Sequence, residues 1–271
     1  MQAIYERPRD YDLEHEGDDE DIHFYEQLVQ RLQPQRILEF GTGSGRIAIP
    51  LARLAATLSF AGGPPAIVGL DIVDAMLGEA ERKRDALEPQ ERAQLTLVRG
   101  DIRHWRGEMP FDLVIAPCSA LTHMLTLDDQ LAAWRCAYDN LAPGGRFVAD
   151  LTMANLGVYA ESMLTPPRTT VEIDVDTRDP ESGERLLRHK TTEYLPHEQR
   201  ARIRFLYDRL SAEVAVDRYV SDFESHVYYP REVELLFRST GFTVEERYGD
   251  YFRRPFRRRS RQMITVGRKH G

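Results

Sequence analysis

The hydrophobic and polar positions of the chain follow one periodic pattern over its first half. From residue 37 onward, short apolar runs alternate with stretches whose apolar positions recur every three or four residues. The apolar runs predict strands at 37–40, 66–70, 95–98, 111–115 and 146–149, and the longer stretches predict helices at about 46–56, 73–87 and 127–141. Such alternation is typical of right-handed crossovers, so it predicts a parallel sheet covered by helices on both faces.

A different pattern follows Leu151, where the alternation with helices stops. In residues 169–229 apolar positions alternate with charged ones, which predicts antiparallel strands. Pro230 begins a predicted helix that ends at Gly241, and two further strands are predicted at 242–247 and 263–267.

These patterns predict a single domain spanning 1–271. Its core would lie at about 20–165 and 230–271, and an antiparallel β insert would occupy about 166–229. We expect the insert to form a lid over the substrate or a dimer face, and hence a possible homodimer.

The segment before the first strand is strongly acidic. Nine acidic side chains lie between Asp10 and Glu26, and a charge block of this kind predicts a solvated, partly mobile lead-in. Apolar positions then recur with helical spacing from Ile22 to Leu32, which predicts an amphipathic helix ending near Pro34.

Composition narrows the class of protein. The chain has 271 residues, 42% of them hydrophobic, and a formal net charge of −8, which argues against a general nucleic-acid binder. Its two cysteines, Cys118 and Cys136, are too few for a disulfide framework, so we expect a reducing, cytoplasmic setting. Neither a signal peptide nor a membrane span is expected, because no sufficiently long apolar run occurs.

The most informative segment is the glycine-rich turn at residues 39–46, Glu-Phe-Gly-Thr-Gly-Ser-Gly-Arg. It follows a predicted strand and precedes a helix, which is the context of a nucleotide-like site. The third glycine comes one position too early for a dinucleotide fingerprint, and the Gly-Lys-Ser/Thr of a phosphate-binding loop is absent. Glu39 could accept a hydrogen bond from an ammonium group, directly or through water.

Two further acids follow the next two predicted strands. Asp71 ends the second strand and could hold both hydroxyls of a ribose, while Asp101, after Gly100, could accept from an adenine amino group beside Ile102. Either acid alone is more often a turn residue. Together with Glu39 they place three carboxylates at the sheet edge where open α/β sheets bind ligands.

In these blocks the chain resembles the class I, Rossmann-like, S-adenosylmethionine-dependent methyltransferases. The matching segments are ILEFGTGSGRIAIPLA, IVGLDIVDAML, LTLVRGDIRHW, FDLVIAPCSALTHML and LAPGGRFVADL, which lie within residues 37–151. The charged antiparallel stretch after the fifth strand resembles small-molecule members such as the sugar N,N-dimethyltransferases. The resemblance implies a seven-stranded sheet of order 3-2-1-4-5-7-6, with the seventh strand antiparallel, and the β insert after strand 5.

The resemblance also implies the cofactor, S-adenosylmethionine, with S-adenosylhomocysteine as product. Glu39 and the glycine turn would hold its methionine part, Asp71 the ribose, and Asp101 with Ile102 the adenine. The full predicted cofactor set is Glu39, Gly41, Thr42, Gly43, Gly45, Arg46, Asp71, Ile72, Met76, Gly100, Asp101, Ile102, Ala116 and Cys118.

Methyl transfer is an in-line displacement, so the protein mainly aligns the reactants and supplies a deprotonated nucleophile, with no metal required in principle. His123 is the candidate general base, or alternatively fills a hydrogen bond at a helix start. Tyr11 is the candidate that folds over the cofactor, or alternatively packs. Arg46 could meet the cofactor carboxylate or face solvent, and a structural role is favoured for Cys118.

The expected function is methyl transfer to N, O or C of a small molecule. The Asn-Pro-Pro-Tyr/Phe tetrad of the enzymes that methylate amino groups of nucleic acids and protein glutamines is replaced by residues 116–119, which argues against N-methylation of adenine or cytosine. An RNA or protein methyltransferase using the arginines at 253–261 is one alternative, and a non-catalytic S-adenosylmethionine-binding protein is another. Alternatively, the arginines belong to a solvated loop between the last two strands.

Overall fold

The computed structural model describes residues 3–164, 169–211 and 214–270. Its α-helices are α1 (Pro8–Glu14), α2 (Glu20–Leu32), α3 (Ala48–Thr57), α4 (Asp74–Asp85), α5 (Pro89–Arg92), α6 (Leu127–Asn140), α7 (Leu156–Ser162) and α8 (Pro230–Ser239). Short 3-10 helices lie at Ala3–Glu6, Ala120–His123 and Pro196–Glu198. The strands are β1 (Arg36–Phe40), β2 (Ala66–Asp71), β3 (Leu95–Arg99), β4 (Phe111–Ala116), β5 (Leu141–Thr152), β6 (Glu172–Arg178), β7 (Arg185–Leu195), β8 (Arg200–Ser211), β9 (Val214–His226), β10 (Phe242–Tyr248) and β11 (Gln262–Lys269).

The chain divides into two compact units, of which the larger comprises Asp18–Met153 and Tyr228–Gly271. Its seven-stranded sheet has the order β10-β11-β5-β4-β1-β2-β3. Strands β1 to β5 pair in parallel, while β11 is antiparallel to both β5 and β10. In the order of the seven core strands this is 3-2-1-4-5-7-6, so the predicted topology is confirmed.

Helices cover both faces of this sheet, and each face has its own apolar core. On one face Trp134 of α6 packs edge-on against Phe147 of β5 and Phe237 of α8, with ring centroids 5.8 and 6.0 Å apart. On the other face α2 and α3 bury residues such as Tyr25 and Leu51. Because both faces are buried, the parallel strands consist largely of apolar residues, which is the property that revealed them in the sequence.

The smaller unit comprises Met1–Gly17 and Ala154–Val227. It holds an antiparallel sheet of order β6-β7-β8-β9, so the predicted antiparallel strands after the fifth core strand are confirmed. Leu186, Tyr207 and Ile4 form its core. The predicted first residue of the insert, 166, lies outside the described residues.

The acidic lead-in is ordered, and the prediction that it is solvated is wrong for three of its acids. Asp10 and Asp21 are buried, and the Glu14 side chain is paired with Arg188 of β7. Asp10 accepts hydrogen bonds from Arg209 of β8 and from the Tyr219 hydroxyl. A local count of charges could not show these pairs, because the arginines are supplied by strands more than 170 residues away.

Within the described parts of the chain, no helix is both long and apolar enough to cross a membrane.

Candidate functional site

The glycine-rich turn after β1 has backbone angles and close contacts that favour glycine. Gly41 and Gly45 have φ angles of +68° and +81°, a region that side chains disfavour. A Cβ on Gly41 would lie 2.8 Å from the Cβ of Ala120, and one on Gly45 would lie 2.9 Å from Ile49 Cγ1. The turn therefore packs against the 3-10 helix after β4 on one side and against its own helix on the other. The Gly41 backbone N–H donates to the Leu70 carbonyl at 2.8 Å, which fixes the turn to β2.

Glu39, directly before this turn, is a buried carboxyl. It is 1% exposed and accepts a hydrogen bond of 2.9 Å from the Thr42 hydroxyl. Burial raises the pKa of Glu39 to about 8, and the negative charges of Asp71 and Asp21 add to the rise, while the Thr42 bond and the Arg46 charge oppose it. A cation that binds next to such a buried acid lowers its pKa and favours its ionised form.

Asp71 ends β2 and holds the turn from the other side. Its two carboxylate oxygens accept the backbone N–H groups of Gly43 and Val73, at 2.8 and 2.9 Å. The next residue, Ile72, is 51% exposed, although large apolar side chains are usually buried. Met76 is buried, and a Cβ on Gly43 would lie 3.3 Å from its methyl carbon.

Asp101 follows β3 and is held by a residue that the sequence reasoning missed. The Arg103 guanidinium donates to both oxygens of Asp101, at 2.6 to 3.1 Å, and also to Asp129 of α6 at 2.6 Å. The hydrogen bonds from Arg103 lower the pKa of Asp101. The Gly100 N–H donates to the Asp71 carbonyl at 2.8 Å, so the ends of β2 and β3 are joined. Ile102 packs half-buried against the core.

The loop after β4 is strained in a way that suggests function. Ala116 is buried at the strand end, and the next two non-proline residues, Cys118 and Ser119, have φ angles of +52° and +59°. Residues with side chains adopt such angles at a cost of roughly 1–3 kcal/mol, and they concentrate at functional sites. The Ser119 hydroxyl accepts from the Thr152 N–H at 3.0 Å, which ties the loop to the end of β5.

His123 ends the 3-10 helix that follows this loop. The Tyr228 hydroxyl donates to the Leu121 carbonyl at 3.0 Å and anchors that helix. Burial lowers the pKa of His123, and the charge of Asp71 opposes this only in part. The imidazole is therefore neutral at neutral pH and can accept a proton.

Arg46 does not face solvent, so that alternative is wrong. Its guanidinium makes a two-pronged ion pair with Asp21 of α2, at 2.5 and 2.9 Å, and also donates to the Asp18 carbonyl. The side chains of Arg46 and Asp21 are 11% and 7% exposed. Its predicted contact with a cofactor carboxylate stays a prediction.

Tyr11, the second candidate catalytic residue, lies on α1 in the smaller unit. Its ring packs 4.5 Å from the His15 ring and 6.1 Å from the Tyr5 ring, measured between centroids. The other predicted site residues all belong to the larger unit, where Glu39, Asp71, Asp101 and Ala116 mark the carboxyl ends of four neighbouring parallel strands.

The arginine cluster, Arg253, Arg254, Arg257, Arg258, Arg259 and Arg261, occupies the loop between β10 and β11, and all six residues are exposed. Arg254 pairs with Asp250 at 2.9 Å, and Arg253 donates to Gln27 at 2.8 Å. Within the described residues, the other four have no acidic partner. The cluster thus lies in an exposed loop.

Comparison with known proteins relates part of this architecture to a known family. Residues 37–145 match the family model of a methyltransferase domain. This segment of the chain is similar to methyltransferase domains. The predicted resemblance is therefore confirmed over the glycine turn, Asp71, Asp101 and the β4 loop. The matched segment ends within β5, before the antiparallel sheet begins.

Solved structures extend the likeness of the methyltransferase domain to the fold of nearly the whole chain. The CcbJ methyltransferase from Streptomyces caelestis is 23% identical, with a TM-score of 0.73 over 93% of this chain and 90% of that chain. SAM-bound CalS10, an amino pentose methyltransferase from Micromonospora echinaspora, is 19% identical, with a TM-score of 0.64 over 94% and 93%.

A curated relative matches in sequence. The protein-L-isoaspartate O-methyltransferase of Leptothrix cholodnii is 32% identical over 164 residues, which are 60% of this chain. The match spans 46% of that relative, so the chain corresponds to about half of its length.

Proposed function

We propose that this protein is an S-adenosylmethionine-dependent methyltransferase that methylates N, O or C of a small molecule. One observation carries the proposal: three consecutive parallel strands have an acid at or just after their carboxyl ends, namely Glu39, Asp71 and Asp101, around the glycine turn. The description of CalS10 as SAM-bound and as an amino pentose methyltransferase supports both the cofactor and a sugar-like acceptor. The same proposal includes a small acceptor, a cytoplasmic setting and a homodimer formed through the β insert.

The residues of the site fit this cofactor chemically. The buried carboxyl of Glu39 matches an ammonium group, since ionisation there needs a neighbouring cation. The Asp71 carboxylate would accept hydrogen bonds from the ribose hydroxyls. The exposed Ile72 beside it offers an apolar surface to a flat ring of the cofactor. Asp101 would accept from the adenine amino group, held ionised by Arg103. When bound, S-adenosylmethionine supplies a methyl group on a sulfonium sulfur, and the thioether S-adenosylhomocysteine is the leaving group.

The protein's own part in the reaction would be alignment and proton removal. His123 is the proposed base, because burial keeps its imidazole neutral and the 3-10 helix anchored by Tyr228 holds it in place. The strained Cys118–Ser119 backbone would present the β4 loop to the reacting groups. Tyr11 is proposed only as a contact from the N-terminal segment.

A phosphate-bearing acceptor, including RNA, is the second candidate. The four exposed arginines of the cluster without an acidic partner in the described parts of the chain favour it. Binding of RNA would weaken steeply with salt, since it is driven by counterion release, whereas binding of a small acceptor would change little.

Cofactor binding is the direct test, and we expect it to depend on pH. Calorimetric titration with S-adenosylhomocysteine should show one site whose affinity rises from pH 6 to pH 8. The ligand ammonium favours ionised Glu39, whose pKa of about 8 in the free protein means that a proton must leave on binding. The affinity should change by up to about tenfold per pH unit below that pKa.

Two variants sharpen this titration. Glu39→Gln removes the titrating group, so it should bind more weakly and lose the pH dependence, while Glu81→Gln on the exposed face of α4 should behave like the parent protein. Absence of binding by both S-adenosylmethionine and S-adenosylhomocysteine at pH 8 would overturn the proposed function. Binding with a flat pH profile would instead refute only the role of Glu39.

The role of His123 is tested by rate. With amino sugars and hydroxylated small molecules as acceptors and S-adenosylhomocysteine formation as the readout, His123→Ala should lower kcat by roughly 100-fold or more. Its affinity for S-adenosylhomocysteine should stay within about twofold, because the proposed base contacts the acceptor. His23→Ala, on the exposed face of α2, is the matched control. Full kcat/KM in His123→Ala would exclude a catalytic role.

A further inference from the structure

A polar bridge joins three segments of the larger unit, with a largely buried ion pair at its centre and the exposed residue Cys118 at its edge. Asp21 lies in the first turn of α2, Arg46 follows the glycine turn, and Cys118 lies in the loop after β4. Arg46 donates to both carboxylate oxygens of Asp21, at 2.5 and 2.9 Å. The Cys118 thiol donates to Asp21 at 3.4 Å, and Arg46 lies 3.8 Å from the same sulfur.

The composition of this bridge is unusual for a purely structural contact. A buried ion pair loses hydration on both sides, and apolar residues of similar volume often stabilise a fold as well or better. Its distinctive property is geometric, because a planar guanidinium that donates two hydrogen bonds to one carboxylate fixes the orientation of both groups. The bridge therefore fixes relative positions more effectively than it adds stability.

The segments that the bridge fixes are those with the proposed cofactor contacts. The turn with Gly41 and Gly43 precedes Arg46, and the loop with Ala116 contains Cys118, which has a φ angle of +52°. Strands β1 and β4 are neighbours in the sheet, so these two segments lie side by side. The Asp21 carboxylate is also favourably placed, because it lies in the first turn of α2, at the positive end of the helix dipole.

We propose that Asp21 and Arg46 are positioning residues, which set the glycine turn and the β4 loop at the separation that cofactor binding requires. This inference rests on the proposed function. It assigns Arg46 to Asp21 and Cys118 rather than to the cofactor carboxylate, and it gives the acidic segment before β1 a role in the site.

Binding measurements separate positioning from direct contact. If the pair positions the two segments, Asp21→Asn and Arg46→Gln should each weaken S-adenosylhomocysteine binding by about 10-fold, because each leaves one buried polar partner uncompensated. The double variant should recover most of the loss, and Arg46→Lys should recover little, since it lacks the planar fork. If Arg46 instead contacted the ligand, Asp21→Asn would bind as tightly as the parent or more tightly, and the double variant would recover nothing.

The matched control lies on the same helix. Arg31 makes an equally two-pronged pair with Glu246, at 2.7 and 2.7 Å, but that pair is about one-third exposed and lies at the far end of α2. Arg31→Gln should leave the affinity unchanged. An equal loss of affinity in Arg31→Gln would mean that any weakening of α2 has this effect, and would overturn the proposal.

The Cys118 thiol provides a readout that needs no ligand. Burial raises the pKa of the Cys118 thiol, the charges of Asp21 and Asp150 raise it further, and the charge of Arg46 lowers it. The hydroxyls of Tyr25 and Tyr251 donate to Asp150 in the same network. Alkylation by iodoacetamide should therefore speed up in Asp21→Asn, whose thiol pKa falls. At matched pH it should slow in Arg46→Gln, whose thiol pKa rises.

The alkylation assay is made in the Cys136→Ser background, which removes the buried second thiol. Alkylation rates that are identical in the parent and both single variants would show that the thiol does not belong to the bridge, and would overturn the proposal. The two assays fail independently. A parent protein that binds no S-adenosylhomocysteine refutes the proposed function, while the thiol rates still report on the bridge.

Discussion

Replacing Asp71 by alanine is expected to weaken S-adenosylhomocysteine binding by about 100-fold, because two kinds of contact depend on one carboxylate. In the free protein its oxygens accept the N–H groups of Gly43 and Val73, so they shape the glycine turn. In the complex the same carboxylate would hold the ribose hydroxyls. The alanine variant loses the ligand contacts and also leaves two backbone donors without acceptors.

Asp71→Asn should have an intermediate effect in the same calorimetric titration. The amide keeps one acceptor oxygen, but its NH₂ group faces a backbone N–H and lacks the charge that strengthens such hydrogen bonds. Asp74→Ala is the control, because Asp74 lies one turn away with its side chain 75% exposed and paired with Arg99. If Asp71→Ala stays folded and retains the parent affinity, Asp71 does not hold the ribose.

The parts of the site that were predictable from the sequence are those with short-range causes. The turn at 39–46 combines a buried strand, glycines at positive φ and a helix, all within one stretch of chain. Asp71 and Asp101 were found because strand ends share a sheet edge once the strands are parallel. The sheet order itself came from the resemblance, since strand periodicity does not say which strands are neighbours.

The charge partners were not predictable, because each depends on distant chain segments meeting. Arg103 reaches Asp129 on α6, and Arg46 reaches Asp21 on α2, 25 residues earlier. In each case the sequence shows only a charged residue in a polar stretch, which is also what a solvated surface looks like. Asp150 at the end of β5 was missed for another reason: it is an acid within an apolar strand, and burial raises its pKa to about 7.

The acidic residues near the N-terminus show the same limit on a larger scale. Nine acids in seventeen residues read locally as a solvated segment. In the structure, Glu14 pairs with Arg188 of β7 and Asp10 with Arg209 of β8, so two acids of this segment neutralise arginines of the antiparallel sheet. An acidic block of this kind is therefore better read against the basic residues of the whole domain than against its own neighbours.

Removing one of those arginines should destabilise the smaller unit strongly. Arg188 pairs with Glu14 and, at 2.9 and 3.0 Å, with Asp174, and it packs over the Phe205 ring. Its side chain is 15% exposed and that of Glu14 only 3%. Arg188→Ala leaves the Glu14 carboxyl buried without its cation, which should cost about 3 kcal/mol at pH 8.

The pH dependence of this loss tests its cause. Burial raises the pKa of Glu14 to about 7, although Arg188 opposes the rise, and the variant's pKa should be higher still. A carboxyl whose pKa is raised on folding stabilises the fold below its unfolded value near 4.5 and loses that contribution as pH rises through the folded value. The destabilisation by Arg188→Ala should therefore be smaller at pH 5, where Glu14 is protonated, than at pH 8.

Hydrogen exchange of β7 and β8 peptides measures this loss in the smaller unit itself, because both tryptophans, Trp105 and Trp134, lie in the larger one. Arg204→Ala is the matched control: Arg204 on β8 makes a two-pronged pair with Asp222 at 2.7 and 2.9 Å, but its side chain is 58% exposed. That pair should contribute little to stability, since solvent screens it. Equal protection losses in the two variants, or a loss from Arg188→Ala that does not change with pH, would mean that burial of Glu14 is not the cause.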